Sequence, residues 1–376
     1  MNMTHANSSA ASTLLPYVQR GALAGAVTMV VSKQEVLSLE AIGYADIAAQ
    51  KPMRTDQLFW IASMTKPIAA TLLMMLVEQG KVDLQAPVET YLPEFKGQMV
   101  EAEKDEQHVL LHPLEDPVLV ADVLRHTSGL PFLSRLEPRI DILTLRETVY
   151  AAAMTNLLFQ PRSKYLYSNA GSNVGGRIVE VITGMPFEQF LQDRLLTPLN
   201  MHDTTFWPTE AQLTRLAKAY KPDEQKTSLV EMPISQLTYP LQNRSRQANP
   251  GGGLFSTAAD MGQFCRMILN GGNYEGNTYL SPASIRKMTS IQTGSLTCDG
   301  FQPGGGYGLG WNTQKADPGN TDQPLVGRSG HGGALSTQFW LHPQSGLGTI
   351  YLVQHQGYAC EDGDNIYRSF ETAALC

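Results

Sequence analysis

Residues 25–46, GAVTMVVSKQEVLSLEAIGYAD, hold two β-branched, partly alternating runs on either side of a polar break at 32–35. Alternation with a polar interruption predicts a β-hairpin. The same grammar returns near the other end, where ALSTQFWLHPQSGLGTIYLVQHQ, 334–356, predicts two strands joined by HPQSG. EDGDNIYRSFETAAL, 361–375, then predicts a closing helix with an acidic first turn. Between these ends the pattern turns helical over 67–80, 118–126, 143–154, 172–183, 186–194, 257–269 and 282–289, punctuated by TSGLP, TGMP, NGG and SP. Residues 96–117, a charged excursion, are expected to form either a hairpin flap or a disordered loop.

Sheet-forming ends around a helical middle predict an α/β (α+β) fold: an antiparallel sheet completed by both termini and flanked by helices, with an inserted, mostly helical domain. The expected division is 1–66 with 290–376 as the α/β domain and 67–289 as the helical one. A chain of 376 residues is long enough for about two domains on the usual size scale.

Composition narrows the function classes. With 42% hydrophobic and 17% charged residues the chain is neither disordered nor of low complexity. A net charge of -7 and no Lys/Arg cluster argue against nucleic acid as a partner. The start, MNMTHANSSAAS, lacks the basic-then-apolar order of a secretory leader, and the longest apolar run, 67–77, is too short to span a bilayer. The expectation is a cytoplasmic protein with no membrane span. Cys265, Cys298, Cys360 and Cys376 form no CxxC pair, so no metal site is expected and the thiols read as reduced, with a Cys298–Cys360 bridge as the alternative.

The apolar run at 67–77 carries the first chemical signal. Pro67 suits the first turn of a helix, so Ser63 and Lys66, three positions apart, stand together at a helix start. Unpaired amides there favour the anion that a serine attack generates, but a lysine at that end is unfavourable and needs a purpose. Spacing alone decides little: 23 serines and 12 lysines give roughly one S-x-x-K by chance, and Ser284 with Lys287 is a second one, read as a solvated helix face.

Two further motifs lend weight to the first pair. YSN at 167–169 is the only Y-x-N among 14 tyrosines and precedes a helix. A phenol beside an ammonium is easier to ionise and suits the role of proton acceptor, while the Asn169 amide suits a substrate carbonyl or the lysine. In RSGHGGALST, His331, Gly332 and Gly333 lead into a strand whose backbone a substrate can approach closely. Taken locally, YSN reads equally as a helix cap and HGG as a strand-entry loop.

In this order the three motifs resemble the S-x-x-K, Y-x-N and K-T-G set of serine β-lactamases and penicillin-binding proteins. The form Y-x-N resembles the branch with class C β-lactamases, D-alanyl-D-alanine carboxypeptidases, D-aminopeptidases and lactamase-like carboxylesterases. LRHTSGLP (124–131), PGGGLFSTAADMGQF (250–264) and YGLGW (307–311) are similar to stretches of the same family. The resemblance runs from about Leu15 to about Ala374 and implies a class C β-lactamase-like fold with the active site in the cleft between the two domains.

The resemblance also implies roles. Ser63 is the nucleophile, Tyr167 the base and Lys66 the cation holding both; the amides of Ser63 and Ala334 form the oxyanion hole; Asn169, His331, Gly332 and Gly333 meet substrate. It implies no cofactor and a small-molecule ester or amide substrate, and it leaves the oligomeric state open. Where β-lactamases place a lysine against the substrate carboxylate, this chain has His331, expected to be a weaker, pH-dependent anion site. A carboxylesterase is therefore the first expectation. A β-lactamase or a D-amino-acid-specific peptidase, and an acyltransferase on the same residues, are alternatives, and a non-catalytic, ligand-binding or self-associating homologue is the alternative of another class. Neither G-x-S-x-G nor H-E-x-x-H occurs, PGGGYGLGW fits no nucleotide loop, and EDGD reads as a helix start before a calcium site.

Overall fold

The computed structural model describes residues 9–134, 139–296, 304–315, 327–361 and 363–376. Its main sheet has eight strands: β1 (Gly25–Ser32), β2 (Val36–Asp46), β3 (Lys51–Pro52), β4 (Gly305–Tyr307), β5 (Asn312–Gln314), β6 (Ser329–Gly332), β7 (Gln338–His342) and β8 (Leu347–Leu352). They run in the order β4-β5-β6-β7-β8-β1-β2-β3 with every neighbouring pair antiparallel. The first and last parts of the chain thus meet at the β1–β8 pair, where Val27 faces Leu352 and Val31 faces Gly348. The mixed fold with one large antiparallel sheet is the expected one.

β1 is buried on both faces, so its apolar run is nearly continuous. Its period of two still sorts the side chains. Val27, Met29 and Val31 join the larger core, while Ala26 and Val30 join a second cluster with Leu14, Tyr351 and Phe370. That second face is covered by the closing helix and by a short helical segment over 10–19, which the polar start of the chain did not suggest.

Four helices organise the rest: α1 (Thr65–Glu78), α2 (Asn169–Thr183), α3 (Ala258–Leu269) and α4 (Gly363–Leu375). α1 has apolar residues on all sides and all are buried from Thr65 to Leu76, since it packs between β6 and α2. α3 lies against β1 and β8, although it falls within 67–289. The other expected helices form at Leu145–Ala153 and Pro282–Thr289, more briefly at Val120–Leu124 and Phe187–Leu191. Residues 96–117 take the hairpin form, with Met99–Lys104 pairing Val109–Pro113. Cys298 lies outside the described residues, and with it the alternative of a bridge to Cys360. Among the described residues, no helix is long and apolar enough to cross a membrane.

Candidate active site

Phe59–Trp60 pairs with Phe255–Ser256, and the chain then turns sharply into a single 3-10 turn, Ala62–Met64, before α1. The turn passes through Ala62 at φ 45°, a left-handed conformation that costs a non-glycine residue about 1–3 kcal/mol. Surrounding contacts hold it: the Thr65 hydroxyl donates to the Ala62 carbonyl at 2.6 Å and accepts from the Leu254 amide at 3.2 Å. Ser63 is thereby presented at the head of α1.

Lys66 is 2% exposed. Its Nζ lies 3.1 Å from Ser63 Oγ, 2.6 Å from Asn169 Oδ1 and 2.5 Å from the Gly251 carbonyl, and 4.6 Å from the centre of the Tyr167 ring. Burial pushes its pKa well below the ordinary lysine value. Nζ donates to all three oxygens: Ser63 Oγ, Asn169 Oδ1 and the Gly251 carbonyl.

Tyr167 hydrogen-bonds Ser63, which draws its pKa down, but burial outweighs that and pushes the phenol above its ordinary value. The easing of its ionisation expected from the neighbouring lysine is therefore not the dominant effect. YSN is at once a cap and part of the site: the Ser168 hydroxyl accepts from Gly171 N–H at 2.9 Å, so α2 begins at Asn169, three residues earlier than expected. That cap fixes Asn169 with its carbonyl on Lys66.

The third motif lies on β6 and the loop after it. A side-chain carbon on Gly333 would fall 2.5 Å from the Ile61 carbonyl and 2.2 Å from Thr337 Oγ1, so only glycine lets this loop dock on the serine turn. Docking brings Ala334 to the same cavity as Ser63. His331 is 5% exposed and is turned away from an anion-binding role. Its Nδ1–H donates to the Gly332 carbonyl at 2.7 Å and its Nε2 accepts from the Tyr307 hydroxyl at 2.8 Å. Burial, with the nearby Lys66 charge, pushes its pKa down to about 3. The pH-dependent cation expected at this position is a neutral, internally bonded imidazole.

Two residues had no role assigned from sequence. Tyr307, from YGLGW, holds His331. His126, from LRHTSGLP, packs tilted against two rings, 4.6 Å from that of Tyr167 and 4.5 Å from that of Tyr307, and its Nδ1 accepts from Ser168 N–H at 3.2 Å. Its position in these quoted stretches was the available signal. The second S-x-x-K lies on the helix Pro282–Thr289, with Ser284 buried and Lys287 in solvent.

Three histidines are held neutral chiefly by burial: His331, His355 at about 4, and His126 well below its ordinary value. Unfolded, each binds a proton near pH 6.5, so their contribution to stability is complete above that value and is lost as pH falls toward the folded values, at about 1.4 kcal/mol per unit each. Asp260, raised by burial to about 6 from 3.8, takes up its proton first in the native state and offsets one of them between those values. The melting temperature should fall steadily from pH 6.5 to 4.5, reflecting a loss of roughly 2–3 kcal/mol per unit. A flat profile over that range contradicts three neutral histidines.

Ser63 opens into a cavity of about 240 Å³ whose walls are mostly apolar, among them Trp60, Phe132, Leu133 and Ile140. Asn169 and Ala334 also line it.

The chain is 35% identical over 357 residues to Protein Rv1367c of Mycobacterium tuberculosis (strain ATCC 25618 / H37Rv), covering 89% of this chain and 86% of that one. It is 36% identical over 203 residues to Esterase EstB of Burkholderia gladioli, covering 50% of this chain and 49% of the esterase. Among solved structures, EstCE1, described as a hydrolase with promiscuous acyltransferase activity, superimposes with a TM-score of 0.77 over 98% of this chain and 100% of its own, at 22% identity. The sequence profile of the Beta-lactamase family matches residues 10–374. The chain belongs to the Beta-lactamase family.

Proposed function

We propose that this protein is a serine hydrolase acting through an acyl-enzyme on Ser63, with carboxylesterase as its activity. The observation that carries the reading is the buried Lys66 side chain, whose Nζ is held by the Asn169 and Gly251 carbonyls within hydrogen-bond reach of Ser63 Oγ. As Ser63 Oγ bonds the ester carbonyl carbon, its proton passes to the coupled Lys66–Tyr167 pair. The carbonyl oxygen becomes an anion against the amides of Ser63 and Ala334, each such donor being worth about 3 kcal/mol in the transition state. The ester C–O bond then breaks and the proton leaves with the alcohol. Water repeats the cycle and frees the acid.

The neutral state of His331 favours an ester over a β-lactam or a peptide ending in D-alanine, because both of those carry a carboxylate that this position does not meet with charge. EstB is named as an esterase and EstCE1 as a hydrolase, in agreement with that preference. The test is turnover of phenyl pentanoate, a cephalosporin and D-alanyl-D-alanine, with intact mass after a fluorophosphonate probe. The ester should be turned over fastest and the probe should add to Ser63. Ser63→Ala should lose the adduct and at least about a thousandfold in kcat/KM. An unlabelled Ser63, or a variant as active as the parent, removes the proposal.

A further inference from the structure

Arg139 is the one charged residue among those lining the cavity in front of Ser63. It is exposed, and among the described residues its guanidinium has no hydrogen bond or ion pair. Arg54, Arg125, Arg162, Arg177, Arg215, Arg246 and Arg328 each meet a carboxylate, whereas Arg139 keeps its charge free for a ligand at the cavity. Its place on the rim is also built. The next residue, Ile140, accepts from Asn249 Nδ2 at 2.7 Å and donates its amide to the Gln236 carbonyl at 3.3 Å, and Asp141 is pinned by a buried ion pair. Gln236 lines the same cavity.

The geometry points to an anionic acyl group as the substrate class: a half-ester of a short dicarboxylic acid, with its free carboxylate held by Arg139. This rests on the serine hydrolase reading above. The cavity is apolar along its walls, polar at Ser63 and cationic at its rim. At about 30 Å³ per heavy atom, as for water in the liquid, 240 Å³ holds roughly eight atoms, which matches a five-carbon diacid. Because His331 is neutral and internally bonded, the third motif supplies no competing cation. In the reaction Ser63 Oγ bonds the ester carbonyl carbon, the ester C–O bond breaks, and the alcohol leaves with the serine proton. The acyl-enzyme keeps its carboxylate on Arg139 until water releases the dicarboxylate.

The experiment compares kcat/KM for monophenyl glutarate, phenyl pentanoate and 4-carboxyphenyl pentanoate in the parent protein, Arg139→Ala, Arg139→Lys and Arg139→Glu. The parent should prefer monophenyl glutarate to phenyl pentanoate. Arg139→Ala should lower that ratio about tenfold, the size expected for one partly exposed charge-assisted contact. Arg139→Lys should keep part of it, and Arg139→Glu should reverse it. Raising ionic strength should weaken the parent's preference. A ratio unchanged within twofold in Arg139→Ala overturns the inference, as does an effect seen only with 4-carboxyphenyl pentanoate, which places the anion in the leaving group. In both cases turnover of phenyl pentanoate with an adduct on Ser63 leaves the hydrolase reading standing; no turnover of any ester and no adduct removes both.

Discussion

Lys66→Met should bring acyl-enzyme formation to a near stop, with kcat/KM on phenyl pentanoate reduced by about a thousandfold or more. Methionine fills nearly the same buried volume, so the effect on activity reports the amine and not a cavity. Three acceptors lose their partner: Ser63 Oγ, Asn169 Oδ1 and the Gly251 carbonyl. Two of those are carbonyls in a buried site, each costing about 1–3 kcal/mol when left unpaired. Against this, the fold no longer holds a lysine whose charged form burial disfavours. The two effects oppose each other, and the melting temperature should change by a few degrees at most while activity collapses. A variant that keeps a tenth of its activity rules out Lys66 as proton acceptor and leaves Tyr167 to act alone. Lys66→Arg is the sharper control: it keeps a cation but has no lone pair, and it should be as inactive as methionine.

Much of this site could be read before the fold, and the reason is local. Ser63, Lys66 and Pro67 lie within one helical turn, and YSN is itself the start of α2, so their spacing carries geometry. The strands at both ends of the chain were legible from alternation, because β1 and β8 sort their side chains to two buried faces. The charge state of His331 was not legible. It depends on Tyr307, 24 positions away, and on burial beneath the cleft. Arg139 gave no local signal either, since Trp60 and Gln236, which share its cavity, arrive from distant parts of the chain. His126 stood in a recognisable stretch, yet its ring contacts with Tyr167 and Tyr307 exist only after folding. Residues 10–19 are a short stretch directly after a small, polar start, and their helical form follows from packing Leu14 and its neighbours against α4.

Arg246→Met should be the most destabilising single change near the site. Arg246 and Asp141 are each 1% exposed and meet at 2.7 Å. The guanidinium also donates to the carbonyls of Phe206 and Leu241, while the Asp141 carboxylate accepts from the amide and hydroxyl of Thr238. Methionine satisfies none of these and leaves a buried carboxylate without its cation, a change that costs about 3–5 kcal/mol. At about 2.1 cal/mol/K of unfolding entropy per residue, a loss of 4 kcal/mol lowers the melting temperature of this chain by about 5 °C. The double variant Asp141→Leu with Arg246→Met should recover most of that, because the cost lies in the stranded charge and not in the missing pair. The consequence reaches the substrate. Asp141 fixes the segment that carries Ile140 and Arg139, so Arg246→Met should also narrow the preference for an anionic acyl group with Arg139 itself intact. A melting temperature within 1 °C of the parent in the single variant means that the pair does not hold the wall, and the rim cation is then placed by the contacts of Ile140 alone.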